Sequence, residues 1–335
     1  MRFSLLGRDL VARACISDVL SVRSPSFFFR RCRAILLGLV CVFVSTGLAR
    51  GQIFVSDWSS GKVGEWTTSG SSTNASLITG LSQPNGIAAS GGYLYVANKQ
   101  ANTIGKYTMA GQVVDASFIT GLSGPTQLIA SGTNLYVMNT SNSTIGKYTT
   151  AGQTVSSAFI TLTQSFPFSM ALSGTSLFVV AESQGSHSHS NSFVVQYSAS
   201  NGTFLGDVIP EVPGSPPGFY GLAASETSLY LSFYFGNGYI SEYTTAGSLV
   251  NAKLIDNLDA PQNLVLSGTD LYVLEIGSSR IGQYTTSGQT VNAALVTGLT
   301  NPQNLAVVPE PSTYALALAG LACAGWSLCR RRRAC

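Results

Sequence analysis

The stretch GTNLYVMNTSNSTIGKYTTAGQTVSSAFI, residues 132–160, closely repeats GGYLYVANKQANTIGKYTMAGQVVDASFI, residues 91–119. Both copies carry LYV, TIGKYT, AGQ and a final Phe-Ile at the same spacing. These segments are rich in β-branched and aromatic residues, which favour strands. A repeat of roughly forty residues is typical of folds built from one recurring supersecondary unit.

The unit occurs six times in the body of the chain. The aromatic residue at the centre of the LYV segment recurs as Phe54, Tyr95, Tyr136, Phe178, Tyr230 and Tyr272. The aromatic residue of the following segment recurs as Trp66, Tyr107, Tyr148, Tyr197, Tyr243 and Tyr284. A glycine then marks a tight turn, where we predict positive φ angles, at Gly70, Gly111, Gly152, Gly202, Gly247 and Gly288.

Each unit is interpreted as four short strands. The LYV strand is apolar on both faces, as expected of a strand between two other sheets. The third strand leads to a proline and the fourth follows it; these prolines are Pro84, Pro125, Pro167, Pro217, Pro261 and Pro302. Six four-stranded sheets with apolar faces predict an all-β, six-bladed β-propeller.

The two ends of the body predict how the ring closes. The body begins on an LYV-type strand at Ile53 and lacks the strand before it. It ends with an extra copy of that missing strand, residues 304–308. We therefore predict that this last strand completes the first blade. The repeats resemble NHL-type and YVTN-type propeller repeats.

Charge and cysteine content exclude several classes of function for the body. Residues 51–308 contain six basic and twelve acidic residues, a net charge of −6 by subtraction, so no basic surface for nucleic acid is expected. All six cysteines lie outside this span. The body therefore has no disulfide framework, thiol nucleophile or cysteine-based zinc site.

The N-terminal 49 residues have the pattern of a secretory signal peptide. An apolar run over residues 34–48 follows an arginine-rich segment, and Ala49 ends a small-residue cleavage site. The basic region before the apolar run is unusually long. An uncleaved signal anchor is the alternative.

The C-terminus combines three features in a fixed order. Pro309, Glu310 and Pro311 come first, and then residues 314–329 are uncharged. Four arginines follow, namely Arg330, Arg331, Arg332 and Arg333. As a helix the uncharged segment would rise about 24 Å, less than the hydrocarbon core of about 30 Å. We predict a short transmembrane helix that acts as a processing signal, with the arginines in the cytoplasm; an ordinary single-pass anchor is the alternative.

This C-terminal order resembles the PEP-CTERM sorting signal of Gram-negative bacteria. The resemblance implies that an exosortase recognises the tail, cleaves near Pro-Glu-Pro and passes the protein to the cell surface or an extracellular polymer matrix. The predicted organisation is therefore a signal peptide (1–49), a propeller (50–308) and a sorting signal (309–335).

Ligands of propellers usually bind at the mouth of the central channel. The loops after the LYV strands and around the repeat prolines offer candidates there. The candidates after the LYV strands are Asp57, Asn98, Asn139, Glu182 and Glu275. They would form a metal ring or an acid/base pair, or bond their own turns. We favour the second interpretation, because Ala181 and Phe233 interrupt the set at equivalent positions.

Two insertions in the fourth unit offer further candidates. His187 and His189 have metal-ligand spacing, although their Ser-, Gly- and Asn-rich surroundings indicate a solvated loop. Phe219 and Tyr220 end a proline-rich loop, where they would either stack on sugars or peptides or fold back over the channel.

We therefore expect an exported, non-enzymatic propeller without a cofactor, acting in adhesion or in binding of exopolysaccharide or surface proteins. A metal-dependent lyase or hydrolase at the channel mouth is one alternative. A carbohydrate-binding module that uses Phe219 and Tyr220 is another.

Overall fold

The computed structural model describes residues 51–163, 165–183, 192–210 and 218–309, and these residues form six four-stranded antiparallel sheets. Each sheet is a blade. Blade 1 contains β1 (Gln52–Asp57), β2 (Lys62–Thr67), β3 (Ser72–Ile78) and β24 (Pro302–Val308), and blade 2 contains β4 (Pro84–Ser90), β5 (Tyr93–Asn98), β6 (Thr103–Thr108) and β7 (Val113–Ile119). Blade 3 contains β8 (Pro125–Ser131), β9 (Asn134–Asn139), β10 (Thr144–Thr149) and β11 (Thr154–Thr161), and blade 4 contains β12 (Ser165–Ser173), β13 (Ser176–Ser183), β14 (Ser192–Ser198) and β15 (Phe204–Ile209). Blade 5 contains β16 (Phe219–Ala224), β17 (Ser228–Phe233), β18 (Gly238–Thr244) and β19 (Leu249–Leu258), and blade 6 contains β20 (Pro261–Ser267), β21 (Asp270–Glu275), β22 (Arg280–Thr285) and β23 (Thr290–Val296).

The strand that follows the repeat proline is the innermost strand of its blade. The six inner strands contact one another in the closed order β4, β8, β12, β16, β20, β24 and back to β4. The LYV strand comes second and the exposed strand after the glycine turn is outermost. The prediction of a six-bladed propeller is therefore confirmed.

The last strand closes the ring as predicted. β24 pairs antiparallel with β1, in a register that runs from Gln52 opposite Val308 to Ser56 opposite Asn304. Beyond the strands, the Trp58 amide donates to the Asn301 carbonyl over 3.1 Å. The first blade thus joins both ends of the body.

The LYV strands are buried on both faces, and each face packs against a different neighbour. In β9, Leu135 and Val137 join the cluster of blade 2, whereas Tyr136 and Met138 join that of blade 4. Full burial of one such side chain stabilises the fold by about 1.5–3 kcal/mol. This double contact explains why the segment has no polar alternation.

The turn glycines pack closely against the preceding blade. All six have positive φ, from 75° at Gly202 to 89° at Gly152, which confirms the predicted turns. An added Cβ would meet the outermost strand of the preceding blade, for example the Val208 carbonyl at Gly247. Both the backbone angle and the close approach therefore require glycine.

Blades 3 and 4 are also joined by buried polar groups. The Tyr136 hydroxyl donates to the Ala199 carbonyl over 2.7 Å. The Lys147 ammonium donates to the same carbonyl over 2.8 Å and to the Ser200 carbonyl over 3.2 Å. Burial lowers the pKa of Lys147. A repeated tyrosine thus acts as a cross-link between blades.

Among the described residues, no helix has the length and apolar character needed to span a membrane. The predicted signal peptide, with its cleavage site at Ala49, lies outside the described residues, as does the tail from Glu310 onward. The predicted domain boundaries therefore stay predictions.

Candidate binding site at the channel mouth

One mouth of the central channel is lined by carboxamide side chains from the first residues of the inner strands. We call this set the amide ring; it comprises Asn85, Gln127, Gln262, Asn263, Gln303 and Asn304. The cavity they line has a volume of about 510 Å³. They occupy the first and second positions after the repeat-proline position, so the repeat itself places them at the same end of the inner strands.

Blade 5 departs from the repeat at this level. Pro217, which the spacing assigned to the proline position, lies outside the described residues. The strand register places Phe219 opposite Phe233, as Pro84 lies opposite Asn98 in blade 2. Phe219 therefore takes the proline position, and Tyr220 takes the next position, which faces the cavity.

Part of the mouth is occupied with contacts between blades. The side-chain oxygen Oε1 of Gln127 accepts a hydrogen bond from the Met170 backbone amide over 2.6 Å. The Ser169 hydroxyl accepts one from the Leu222 amide over 3.1 Å. These bonds join β8 to β12 and β12 to β16, so on this side the polar groups hold the inner strands together.

Elsewhere the mouth presents buried oxygen atoms that lack a protein partner. Within the described ranges, Thr126 Oγ1, Gln262 Oε1 and Asn263 Oδ1 have no hydrogen-bond partner. The Asn263 residue is only 6% exposed. A buried polar atom left unpaired costs about 1–3 kcal/mol, so such atoms are unusual in a stable fold. Here the three atoms belong to residues that line the same cavity.

Aromatic side chains form one wall of the cavity. Phe166, Phe168 and Tyr220 line the cavity and Tyr234 stacks on Tyr220; we call these four residues the aromatic wall. The rings of Phe168 and Tyr220 lie 5.6 Å apart between centroids, and those of Tyr220 and Tyr234 are stacked at 5.3 Å. Phe166 lines the cavity and is 40% exposed. Burial raises the pKa of Tyr220, and a hydrogen bond with the Gln262 side chain opposes this shift only in part.

The charge at this mouth is low. Lys99 is the only charged side chain among the described residues that line the cavity. Its ammonium lies 5.1 Å from the centroid of the Trp58 ring, a cation–π distance. The site therefore relies on hydrogen bonds and flat apolar surfaces.

Further along the inner strands, most of the residues that line the channel are aliphatic. Leu128, Met170 and Leu264 contribute to a second cavity of about 360 Å³. Gln127, Asn263 and Asn304 line both cavities, so they lie where the two cavities adjoin.

None of the five candidates after the LYV strands lines the 510 Å³ cavity. Asp57 accepts hydrogen bonds from the Ser60 and Asn301 amides over 2.9 and 3.3 Å. Burial raises the pKa of Asp57, but these hydrogen bonds outweigh burial and hold the pKa below its usual value. Asn139 accepts from the Ser123 amide over 3.3 Å.

The remaining candidates lie in similar local settings. Asn98 is buried, and its amide donates to the Thr103 hydroxyl over 3.4 Å. Glu182 is buried at the end of β13. Glu275 is completely buried and accepts two hydrogen bonds from Arg280 over 3.0 and 2.8 Å, and a third from the Asp259 amide. Their side chains thus support the ends of the LYV strands.

Of the four candidates from the two insertions, the structure describes Phe219 and Tyr220. Phe219 is buried rather than exposed on a loop, because it begins β16 and packs against Phe233 at 5.0 Å. Tyr220 belongs to the aromatic wall. His187 and His189 lie outside the described residues. Within the described part of the chain, no group of three or more His, Cys, Asp or Glu side chains is placed to hold a metal ion.

The fold and the mouth together define a six-bladed β-propeller with an amide-lined cavity in which Lys99 is the one charged side chain among the described lining residues. Residues 307–333 match the family model of the PEP-CTERM protein-sorting motif. The predicted sorting signal is thereby confirmed, and it implies an exported protein that is briefly anchored in the membrane and recognised by an exosortase. Glu310, Pro311 and the four C-terminal arginines of this motif lie outside the described residues.

Comparison with solved structures supports the propeller fold. A chain of the nidogen/laminin complex aligns with a TM-score of 0.61 at 11% identity, over 77% of this chain and 98% of that one. A gluconolactonase from Xanthomonas campestris aligns with a TM-score of 0.52 at 12% identity, over 69% and 84% of the two chains. Virginiamycin B lyase from Staphylococcus aureus aligns with a TM-score of 0.51 at 17% identity, over 78% and 81%. A sequence search among curated proteins finds no match. At these identities the likeness shows the fold alone, and the fold is shared by binding proteins and enzymes.

Proposed function

We propose that this exported propeller is a non-enzymatic binding protein of the cell surface or extracellular matrix, and that its channel mouth binds a segment of a carbohydrate polymer. The observation that carries the proposal is the combination of the amide ring with the aromatic wall around one cavity.

Both halves of the lining suit a sugar. Carboxamides donate and accept hydrogen bonds, as sugar hydroxyls do. Aromatic rings offer flat apolar area at a low cost in conformational entropy, and the C–H faces of a pyranose ring can lie against them. Phe166, which is half exposed at the cavity wall, offers the most accessible such surface. A few convergent polar groups beside apolar surface are typical of ligand sites.

The lining supports binding rather than catalysis. Hydrolysis or elimination at a sugar requires positioned acids and bases. The described residues that line the cavity include no carboxylate, histidine or cysteine. The alternative of a metal-dependent lyase or hydrolase predicts stoichiometric metal in the purified protein, which elemental analysis measures.

The binding part is tested with the exported protein on a glycan array. Phe166→Ala removes an exposed ring of the aromatic wall, and we expect at least a tenfold loss of affinity for any glycan that binds. Phe204→Ala is the matched control, because Phe204 is 53% exposed on the outermost strand of blade 4. Absence of glycan binding, or equal affinity of the two variants, would contradict the proposal.

The location is tested separately. Deletion of residues 310–335 removes most of the sorting motif and leaves every described strand intact. We expect the truncated protein to be exported but lost from the surface fraction. Unchanged surface display would show that the tail does not determine location.

A further inference from the structure

We infer that the channel mouth selects neutral sugars with free hydroxyl groups and rejects sugars that carry carboxylate or sulfate. The inference rests on the proposed carbohydrate-binding function and adds the ligand's chemical class. Its basis is the kind of atom that the fold leaves unpaired.

All three unpaired atoms at the mouth accept hydrogen bonds. Gln262 Oε1 and Asn263 Oδ1 are carbonyl oxygens and can only accept, whereas Thr126 Oγ1 can also donate. A sugar hydroxyl can supply the missing donor. A deprotonated carboxylate or a sulfate has acceptors only, so it can accept from the amide NH2 groups but leaves the unpaired carbonyl oxygens without a donor. Burying such a charge without a partner is costly.

The unpaired acceptors lie on opposite sides of the channel. Thr126 belongs to β8 of blade 3, and Gln262 and Asn263 belong to β20 of blade 6. The order of the inner strands puts these blades three steps apart in a ring of six. The intervening blades 4 and 5 supply Phe168 and Tyr220. A pyranose against this aromatic pair would therefore have acceptors on either side.

The burial of Asn263 indicates that its oxygen serves a ligand. The side chain is more than nine-tenths buried, lines both cavities and still has no protein partner for Oδ1 among the described residues. The equivalent groups of blades 3 and 4, Gln127 and Ser169, are bonded to neighbouring strands. At this position of the inner strands the fold therefore pairs Gln127 and Ser169 and leaves Asn263 Oδ1 without a protein partner among the described residues.

The net negative charge of residues 51–308 also disfavours binding of anionic sugars. Residues 51–308 have a net charge of −6, from six basic and twelve acidic residues, which disfavours polyanions at low salt. Lys99 is the exception at the mouth. Its ammonium lies over Trp58, and its replacement tests whether it attracts anionic sugars.

The experiment compares matched pairs of oligosaccharides that differ only at carbon 6, as hydroxymethyl or carboxylate: gluco-, manno- and galacto-oligomers with their uronate forms. Titration calorimetry of the full exported protein should show at least tenfold tighter binding of one neutral member than of its uronate. This ratio corresponds to about 1.4 kcal/mol. Thr126→Val and Asn263→Leu nearly preserve volume, and each should weaken neutral binding about five- to tenfold. Lys99→Ala should increase the preference for the neutral member, whereas Lys253→Ala, on the outermost strand of blade 5 and outside the cavity lining, should leave neutral binding unchanged.

Asn263→Asp keeps an acceptor oxygen at the same place and adds a charge. We expect it to increase discrimination against the uronate. Thermal unfolding of every variant separates lost binding from lost folding.

The outcomes distinguish the two proposals. Equal or tighter binding of a uronate overturns the selectivity and leaves carbohydrate binding standing. Neutral binding unaffected by both Thr126→Val and Asn263→Leu also overturns the inference, because the acceptors would then have no role. Binding of neither member of any pair overturns both proposals.

Discussion

Truncation of Leu305 to alanine measures how much the last strand contributes to the ring. Leu305 lies in the middle of β24, is 1% exposed and joins a cluster with Ile53, Val55 and Tyr272. Replacing a buried leucine by alanine costs about 2–5 kcal/mol, because transfer energy is lost and a cavity remains. At about 3 kcal/mol, and with about 2–4 °C per kcal/mol for a domain of this size, Tm should fall by about 6–12 °C.

The assay is thermal unfolding of the exported protein followed by circular dichroism, with two matched controls. Leu128→Ala removes a leucine from the same position of the inner strand of blade 3, where the residue is 5% exposed, and should cost a similar amount. Val291→Ala alters a residue of β23 that is 53% exposed and should change stability by less than about 0.5 kcal/mol. If Leu305→Ala behaves like Val291→Ala while Leu128→Ala is destabilised, β24 does not close the ring in solution.

Two further predictions concern the contacts between blades and their pH dependence. Gly247→Ala should lower the urea midpoint more than Gly174→Ala does, because both have positive φ but only Gly247 abuts a neighbouring carbonyl, that of Val208; equal effects would show that the backbone angle alone matters. Burial, reinforced by Asp270 and Glu275 respectively, raises the pKa values of Tyr272 and Tyr284 from 10.0 to about 12. Because the folded pKa lies above the unfolded one, the stability from these tyrosines is complete below about pH 10 and is lost as pH rises toward 12. Denaturation midpoints between pH 9 and 12 should therefore decline, and midpoints that stay constant over this range would refute the assignment.

The sequence predicted the architecture well because the fold is repetitive. A residue such as Tyr136 recurs at nearly constant spacing, so one interpretation of the unit applies six times. The incomplete first unit and the surplus last strand then predicted the closure. The turn glycines, Gly152 among them, were predictable because positive φ is a local property.

The ligand cavity was less predictable because it depends on neighbours from different blades. Asp57 and Glu275 are candidates by sequence because they are acidic residues at strand ends. In the structure both carboxylates accept hydrogen bonds from nearby residues. The amide ring carries a sequence signal, polar residues directly after the repeat prolines, as in the Pro-Gln-Asn of blade 6. Nothing in that signal indicates that Gln127 bonds across blades while Asn263 does not. That difference arises only when six inner strands meet.

In blade 1, the last strand of the propeller overlaps the start of the sorting motif. The match to the sorting motif begins at residue 307, inside β24, which ends at Val308. Val307 and Val308 lie opposite Ile53 and Gln52, and Pro309, the first residue outside the sheet, is exposed. A protease that cut after Pro309 would leave the pairing of β24 with β1 intact. A cut two residues earlier would remove Val308 from this pairing. The sorting motif and the propeller thus have two residues in common, Val307 and Val308.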